Sequence, residues 1–323
     1  MDRELALEIV RVTEAAALAS AQWIGKGKKN EADGAATSAM RAMFDSIQMR
    51  GTVVIGEGEL DEAPMLYIGE ELGTGHGPEV DIAVDPLEGT NIVAKGHANA
   101  MTVIAIADKG TLLHAPDMYM EKIAVGKKAA GKISLDDPIE KTLEIVAEAN
   151  NKRIQDLMII IQDRPRHEEI IERIRNKGAR VTLFEDGDVS ASIVTALPNT
   201  GIDLFYGIGG APEGVISACA IKALDGDMQA RLVPQNEEEE ERCISMGLEN
   251  PRQLLLLSDL VKGDDCIFAA TGVSAGELLD GVRFLGGDIA ETHSIIMRSK
   301  TKTVRHIKAE HHLSHKPYLS LAE

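Results

Sequence analysis

Residues 157–186 read LMIIIQDRPRHEEIIERIRNKGARVTLFED, and this stretch decides the fold class. Its apolar run LMIIIQD and its β-branched run RVTLFED each have the length and composition of a strand. Between them, HEEIIERIRNKG has helical spacing and ends at a glycine, which is typical of a helix stop. A strand, a helix and a second strand in this order predict a parallel β-α-β unit.

The same alternation continues on both sides of this unit. PIEKTLEIVAEAN (138–150) and DVSASIVTALP (188–198) are predicted helices, and the predicted strand IDLFYGIGG (202–210) runs into the helix APEGVISACAIKALDG (211–226). Parallel sheets with helices on their faces bind ligands at the carboxyl ends of their strands, where RPRH, EDGD and GIGGAPEG lie. We therefore predict an α/β substrate-binding domain over 136–289.

The N-terminal part of the chain carries a different pattern. Helical spacing of apolar residues over 5–19 predicts a first helix, and PMLYIGEEL (64–72) also has a helical pattern. The segments TVVIG (52–56), VDIAVDP (80–86) and AMTVIAIA (100–107) are predicted strands, since β-branched residues recur in them. We predict a metal-binding catalytic α+β domain over 1–135, and leave open whether the strands at about 290–323 return to it.

Composition excludes several classes of function. The 323 residues carry 34 basic and 52 acidic side chains, a formal net charge of −18, whereas nucleic-acid binding requires dense basic patches. The N-terminus has the pattern of an amphipathic helix rather than a signal peptide, and no apolar run reaches the roughly 18 residues of a membrane span. Three widely spaced cysteines predict reduced thiols, and the histidines at 306, 311, 312 and 315 fit no compact zinc motif and are expected on a solvated tail. We expect a cytoplasmic protein with no nucleic-acid or membrane partner.

The strongest site signal is DPLEGT (85–90), which follows a predicted strand. Asp85 and Glu88 stand three positions apart on a loop turned by proline and glycine, so both carboxylates can face one hard cation. Gly89 lets the backbone approach a phosphate closely, and the hydroxyl of Thr90 can orient a water. Taken alone, these six residues also fit a β-turn followed by a helix start.

A second signal is GEGELDE (56–62), with four acids within six residues at the end of a predicted strand. Crowded carboxylates repel one another unless they are solvated or a cation neutralises them, so an exposed acidic loop is the alternative. Glu57 is the first acid after the strand and the best candidate ligand. Asp61 is a candidate base, because one carboxylate in a crowded acidic site can retain affinity for a proton.

Two further carboxylates stand near predicted helix starts. Asp33 precedes the helical run ATSAMRAMFDSI and is predicted to cap it. Glu213 follows the glycine turn in GIGGAPEG, where backbone amides can bind anions, although a first-turn glutamate also simply complements the helix dipole. Either residue can be a metal ligand or only a structural feature of its helix.

Two polar loops complete the candidate site. Arg164-Pro165-Arg166 offers two arginines at a strand end, which suits recognition of a phosphate away from the metals. The carboxylates of Asp186-Gly187-Asp188 can accept hydrogen bonds from sugar hydroxyls. An ordinary polar loop between strand and helix is the alternative for both.

Together, the DPLEGT loop, GEGELDEAPM (56–65), DGAATSAM (33–40) and GGAPEG (209–214) resemble the class II fructose-1,6-bisphosphatases of bacteria. These enzymes belong to a lithium-sensitive, metal-dependent phosphatase superfamily that includes inositol monophosphatases. Inositol monophosphatases have aspartate in place of Glu88, so the loop favours class II. The resemblance covers nearly the whole chain and implies a layered α/β/α/β/α sandwich built from two α/β domains.

The resemblance also implies an activity and a set of site residues. The activity is metal-dependent hydrolysis of the C1 phosphate of fructose 1,6-bisphosphate to fructose 6-phosphate, a step of gluconeogenesis, by a homo-oligomer. The implied ligands of Mn²⁺, or of Mg²⁺, are Asp33, Glu57, Asp85, Glu88 and Glu213. The implied substrate contacts are Glu88, Gly89, Thr90, Tyr119, Arg164, Pro165, Arg166, Asp186, Gly187, Asp188 and Gly210.

Residue types and resemblance together predict in-line attack by a water on the phosphate. A cation lowers the pKa of this water, while Thr90 and Asp61 orient and deprotonate it. Two alternatives remain open at this point. A related phosphatase can prefer sedoheptulose 1,7-bisphosphate or inositol phosphates, and a sugar-phosphate sensor can bind without turnover.

Overall fold

The structure, a computed structural model, describes residues 4–56 and 65–322. The chain divides into a first unit, Met1–Leu112 with Gly263–Glu323, and a second unit, Leu113–Lys262. Each unit combines a β-sheet with helices, which confirms the predicted α/β fold class. The helices are α1 Leu5–Ala21, α2 Lys29–Phe44, α3 Thr90–Lys95, α4 Ile139–Asn150, α5 Glu168–Asn176, α6 Asp188–Ile193, α7 Ala211–Ala223, α8 Glu237–Ser245 and α9 Leu257–Leu260. The strands are β1 Arg50–Ile55, β2 Glu71–Leu72, β3 Glu79–Glu88, β4 Met101–Asp108, β5 Tyr119–Val125, β6 Met158–Gln162, β7 Arg180–Phe184, β8 Leu204–Gly210, β9 Asp227–Leu232, β10 Leu255–Leu256, β11 Cys266–Gly272, β12 Arg283–Gly286, β13 Ile289–Arg298 and β14 Thr303–His312.

The sheet of the first unit has the strand order β12-β13-β11-β4-β3-β1-β2, and β14 pairs with β13. Strands β1 and β3 are parallel, and the other neighbours are antiparallel. Helix α1 packs on this sheet, because its apolar side chains at Ile9, Val12 and Ala16 are buried in the same core as β3 and β4. Helix α2 packs against α1 and β3.

The sheet of the second unit has the strand order β10-β9-β5-β8-β6-β7. The predicted β-α-β unit over 157–186 is confirmed: β6 and β7 are parallel and flank α5. The predicted strand over 202–210, β8, is also parallel to β6, whereas β5, which was not part of this pattern, pairs antiparallel with both β8 and β9. Isoleucine, leucine and valine side chains of β6, α4 and α5 form the core of this unit.

The two units divide the chain earlier than the predicted boundary near residue 135. Strand β5 belongs to the second unit, because it forms ladders with β8 and β9 of that unit. The chain rejoins the first unit at Gly263, well before 290, since β11 pairs with β4 along its full length. The sequence pattern of a strand does not reveal which sheet the strand will join.

In the first unit, one local expectation is wrong and another holds only in part. The described part of 64–72 is not helical, and it ends in the short strand β2. Of the four histidines expected on a solvated tail, those at 306, 312 and 315 are exposed, but residues 303–312 form strand β14. His311 on this strand is buried, and its Nε2 lies 2.8 Å from the hydroxyl of Thr292. Within the described ranges, the helices are too short or too polar to cross a bilayer.

Candidate active site

Asp85 and Glu88 lie at the carboxyl end of β3, and both are buried. Asp85 pairs with Val103 of β4 and Glu88 with Met101, so the register shifts between them and the strand bulges. Within this bulge, Oδ1 of Asp85 accepts a hydrogen bond of 3.0 Å from the amide of Leu87. The predicted loop is therefore a bulged continuation of the strand that carries both carboxylates into the protein.

The chain then turns sharply into helix α3. Gly89 has φ 90° and ψ 47°, a left-handed conformation that favours glycine. Its carbonyl accepts the 3.0 Å hydrogen bond from Val93 that begins the helix. Thr90, the first residue of α3, is half-buried. The glycine thus sets where the hydroxyl-bearing residue stands relative to the two carboxylates.

Asp33 lies within α2, which begins four residues earlier at Lys29. The prediction that Asp33 caps this helix is wrong, because Lys29, Asn30, Glu31 and Ala32 are themselves helical. Its Oδ1 atom is buried without a hydrogen bond, and burial raises the pKa of the carboxyl to about 6. Helix α2 contacts both β3 and α3, the elements that carry Asp85 and Thr90.

Glu57 and Asp61 lie outside the described residues. Strand β1 ends at Ile55 and runs parallel to β3, so the chain leaves β1 at the edge of the sheet where Asp85 lies. In residues 4–56 and 65–322, no three histidine, cysteine or acidic side chains are arranged to hold a metal ion. The roles of Glu57 and Asp61 therefore stay predictions.

In the second unit, Glu213 lies in the first turn of α7. Its Oε2 atom is buried without a hydrogen bond. Burial raises the pKa of this carboxyl to about 7, against the opposing charge of Lys122 and with a smaller contribution from Asp188. A Cβ atom at Gly210 would stand only 1.9 Å from Oε2 of Glu213, so a larger residue here would displace this carboxylate. A buried carboxylate with an unsatisfied oxygen is costly, and a bound cation relieves that cost.

Asp188 is held by a lysine that sequence reasoning missed. Lys122 on β5 is 1% exposed, and its ammonium group donates to Oδ2 of Asp188 at 2.7 Å and to the carbonyl of Gly210 at 2.9 Å. A Cβ atom at Gly209 would stand 1.8 Å from the same carboxylate oxygen, so a larger residue here would push the carboxylate out of its present position. The alternation of β5 carried a signal, since Lys122 shares its face with the buried Met120.

The predicted phosphate-binding arginines lie in a short 3-10 turn after β6. Arg166 donates from Nε to the carbonyl of Ile208 at 2.8 Å and from its terminal nitrogen to Gln162 at 2.7 Å. Its guanidinium also lies 5.1 Å from the ring centroid of Tyr119, a cation–π distance. Arg164 is turned elsewhere and donates to the carbonyl of Asp163 at 3.0 Å.

The side chain of His167, which sequence reasoning also missed, holds this turn against strands β6 and β8. The imidazole ring is buried. Its Nδ1 lies 2.8 Å from the carbonyl oxygen of Gln162, and its Nε2 accepts a hydrogen bond of 2.9 Å from the amide of Ile208. An amide can only donate, so Nδ1 carries the proton and the ring is neutral. Burial accordingly lowers the pKa of His167.

The second unit therefore brings several predicted contacts together. Tyr119 pairs directly with Gly210 across β5 and β8, and Tyr119 also faces Arg166. Gly187 begins α6 with φ 106° and ψ 59°, which places Asp188 in the first turn beside Lys122. Asp186 precedes this turn.

Each unit is built from a β-sheet with helices, and each carries a buried acidic side chain near a strand end or in the first turn of a helix. The sequence model of the family described as bacterial fructose-1,6-bisphosphatase, glpX-encoded, matches residues 3–311. Fructose-1,6-bisphosphatase 1 class 2 of Escherichia coli strain K12 is 50% identical over 329 aligned positions, which cover 98% of this chain and 97% of the relative. The class 2 enzyme of Haemophilus influenzae strain Rd is 48% identical over 326 positions, 97% of each chain. This chain belongs to the bacterial class 2 fructose-1,6-bisphosphatase family, which confirms the predicted resemblance.

Proposed function

We propose that this chain hydrolyses the C1 phosphate of fructose 1,6-bisphosphate to give fructose 6-phosphate and inorganic phosphate. The observation that carries the proposal is the family membership, which rests on about half identity over nearly the whole chain to relatives named for this activity. The acidic residues and the arginine turn described above supply the functional groups that such a reaction requires.

The acidic residues fit a divalent cation, Mn²⁺ by preference and Mg²⁺ as its substitute. The supporting observation is that Asp33 and Glu213 each bury a carboxylate oxygen without a hydrogen bond. Carboxylate oxygens are the ligands that hard cations prefer, and Asp85, Glu88 and Glu57 would complete the set. A bound cation supplies Lewis-acid polarisation of phosphate oxygens and lowers the pKa of a water.

The protein's own groups would orient the reactants. In the proposed reaction, the hydroxyl of Thr90 orients the attacking water and Asp61 accepts its proton. The water oxygen bonds to phosphorus as the ester bond to the C1 oxygen breaks; that oxygen takes a proton from solvent, and Asp61 later releases its proton to solvent. Gly89 lets the backbone approach the transferring phosphate, because glycine carries no side-chain atoms beyond its Cα.

The second unit would recognise the remainder of the substrate. Arg166 binds the phosphate on C6, and its existing bonds to Ile208 and Gln162 fix the direction of the guanidinium. Tyr119 covers one side of that guanidinium. Asp186 and Asp188 accept hydrogen bonds from sugar hydroxyls, while Arg164, Pro165, Gly187 and Gly210 shape the surrounding backbone.

A substrate panel tests this proposal. Phosphate release is measured from fructose 1,6-bisphosphate, sedoheptulose 1,7-bisphosphate, fructose 6-phosphate and inositol 1-phosphate, with Mn²⁺, with Mg²⁺ and with chelator. We expect the highest kcat/KM for fructose 1,6-bisphosphate with Mn²⁺, and loss of activity with chelator. Highest activity on another ester would support a related phosphatase, and binding without phosphate release would support a sensor. Full activity after removal of divalent ions would refute the metal-dependent reaction.

We also propose that the chain forms a homo-oligomer, a dimer or a tetramer, and works in the cytoplasm. The three cysteines are buried and are not joined in disulfide bonds, which suits a reducing compartment. Light scattering after size-exclusion chromatography measures the oligomeric state directly.

A further inference from the structure

We propose that Lys122 is a positioning residue for sugar recognition, which acts through Asp188 and Gly210. The inference rests on the proposed function, because these two residues are its proposed substrate contacts. Lys122 itself touches no substrate, since its side chain is 1% exposed. Its role would be to fix the direction of one carboxylate and one backbone turn.

The glycines of the β8–α7 turn make room for the lysine. A Cβ atom at Gly209 would stand 3.2 Å from Nζ of Lys122, and one at Gly214 would stand 3.2 Å from its Cδ. The aliphatic stem therefore runs beneath the GGAPEG turn, with its charged end at the start of the turn. A side chain of this length and charge fits only because two glycines flank it.

Lys122 binds one of the two carboxylate oxygens of Asp188 and leaves the other for a ligand. Oδ2 accepts from the ammonium group at 2.7 Å. Within the described part of the chain, no hydrogen bond is made to Oδ1. A charge-assisted hydrogen bond restrains the carboxylate, so that Oδ1 remains the oxygen available to a sugar hydroxyl.

The second bond acts on the backbone. Nζ of Lys122 donates at 2.9 Å to the carbonyl of Gly210, the last residue of β8. Gly210 pairs with Tyr119 and directly precedes helix α7. One ammonium group thus connects three elements of the second unit: β5 that carries it, the end of β8, and the start of α6. If the lysine served packing alone, an apolar side chain of equal length would replace it without loss of affinity.

The first test compares Lys122→Met with Lys127→Met. Methionine keeps the length of the stem and removes both hydrogen bonds. Lys127 lies just beyond β5, its side chain is 75% exposed, and it pairs with Asp225, so it is the matched control for loss of a lysine charge. We expect Lys122→Met to raise KM for fructose 1,6-bisphosphate at least tenfold, with a smaller fall in kcat. We also expect it to raise the Kd of fructose 6-phosphate, measured by titration calorimetry, at least tenfold. A KM within twofold of the wild-type value would overturn the inference.

A second pair of variants covers the case in which Lys122→Met does not fold. In Asp188→Asn, the buried lysine loses its charged partner but keeps Gly210, whereas Lys122→Met/Asp188→Asn removes both charges and leaves neither unpaired. We expect the double variant to bind fructose 6-phosphate at least threefold more weakly than Asp188→Asn alone, because the bond to Gly210 is lost. Equal affinities would show that Lys122 acts only as the counter-ion of Asp188. A wild-type chain that does not hydrolyse fructose 1,6-bisphosphate would refute the proposed function before any variant is compared.

Discussion

Glu213→Gln should stabilise the metal-free protein while removing a proposed metal ligand. Burial raises the pKa of this carboxyl from 4.5 to about 7. Below pH 4.5 the group is protonated in both the folded and unfolded chains. As the pH rises towards 7, the unfolded chain releases its proton first, so the folded state loses stability. The loss is complete above about pH 7.

The magnitude follows from the change in proton affinity. Each pKa unit corresponds to about 1.4 kcal/mol, so this carboxyl costs the folded state about 3 kcal/mol at pH 8. Glutamine has no such titration, although its amide hydrogens need acceptors and cost about 1–3 kcal/mol if they find none. We expect the substitution to raise the free energy of unfolding by up to about 2 kcal/mol at pH 8, and by less at pH 5.

Urea unfolding followed by circular dichroism, with chelator at pH 5 and pH 8, measures this difference. The matched control is Glu169→Gln, which removes an exposed first-turn glutamate from α5 and should change stability by less than about 0.5 kcal/mol. Mn²⁺ should reverse the order, because the cation binds the folded wild-type carboxylate and not the amide. A Glu213→Gln variant that is less stable than the wild type at pH 8 in chelator would refute the reasoning.

Three further predictions concern the proposed site. Thr90→Ala should lower kcat by at least about a hundredfold with a smaller effect on KM, since the hydroxyl is assigned to the attacking water, and near-normal turnover would remove Thr90 from the mechanism. Arg166→Ala should raise KM for fructose 1,6-bisphosphate by about tenfold or more and KM for a sugar monophosphate by less, and equal effects in steady-state kinetics would contradict its phosphate role. Gly209→Ala should lower the free energy of unfolding in urea by at least about 2 kcal/mol, because its Cβ would stand 1.8 Å from Oδ2 of Asp188. Its control is Gly34→Ala, in open space on α2, which should gain up to about 1 kcal/mol.

Much of the local structure could be predicted, because it depends on residues close together in the sequence. The β-branched runs before Gly56 and Pro86 specify strands β1 and β3, and the apolar spacing over 5–19 specifies α1. The start of α2 could not be located in the same way. Residues 29–32 are compatible with a helix, so nothing marks Asp33 as a boundary.

The chemistry of the second unit was only partly predictable. Arg166, Asp188 and Glu213 stand in recognisable loops, whereas Lys122 looks like an ordinary charged residue of a strand. Its partners lie 66 and 88 positions away in the sequence, so no local sequence pattern predicts that Lys122 forms a buried ion pair. Sheet membership is likewise a long-range property, which explains why β5 was assigned to the wrong side of the boundary.

The ring of His167 also acts as a spacer between two strands. Strands β6 and β8 pair directly only at Ile159–Leu204 and Ile160–Phe205. Farther along, the imidazole bridges the carbonyl of Gln162 and the amide of Ile208, where a direct ladder bond would otherwise stand. The width of the sheet at this edge is thus set by an inserted aromatic ring rather than by loop length. Protonation of that ring would replace one acceptor with a second donor facing an amide, so acidification is expected to separate these strands where the arginine turn is anchored.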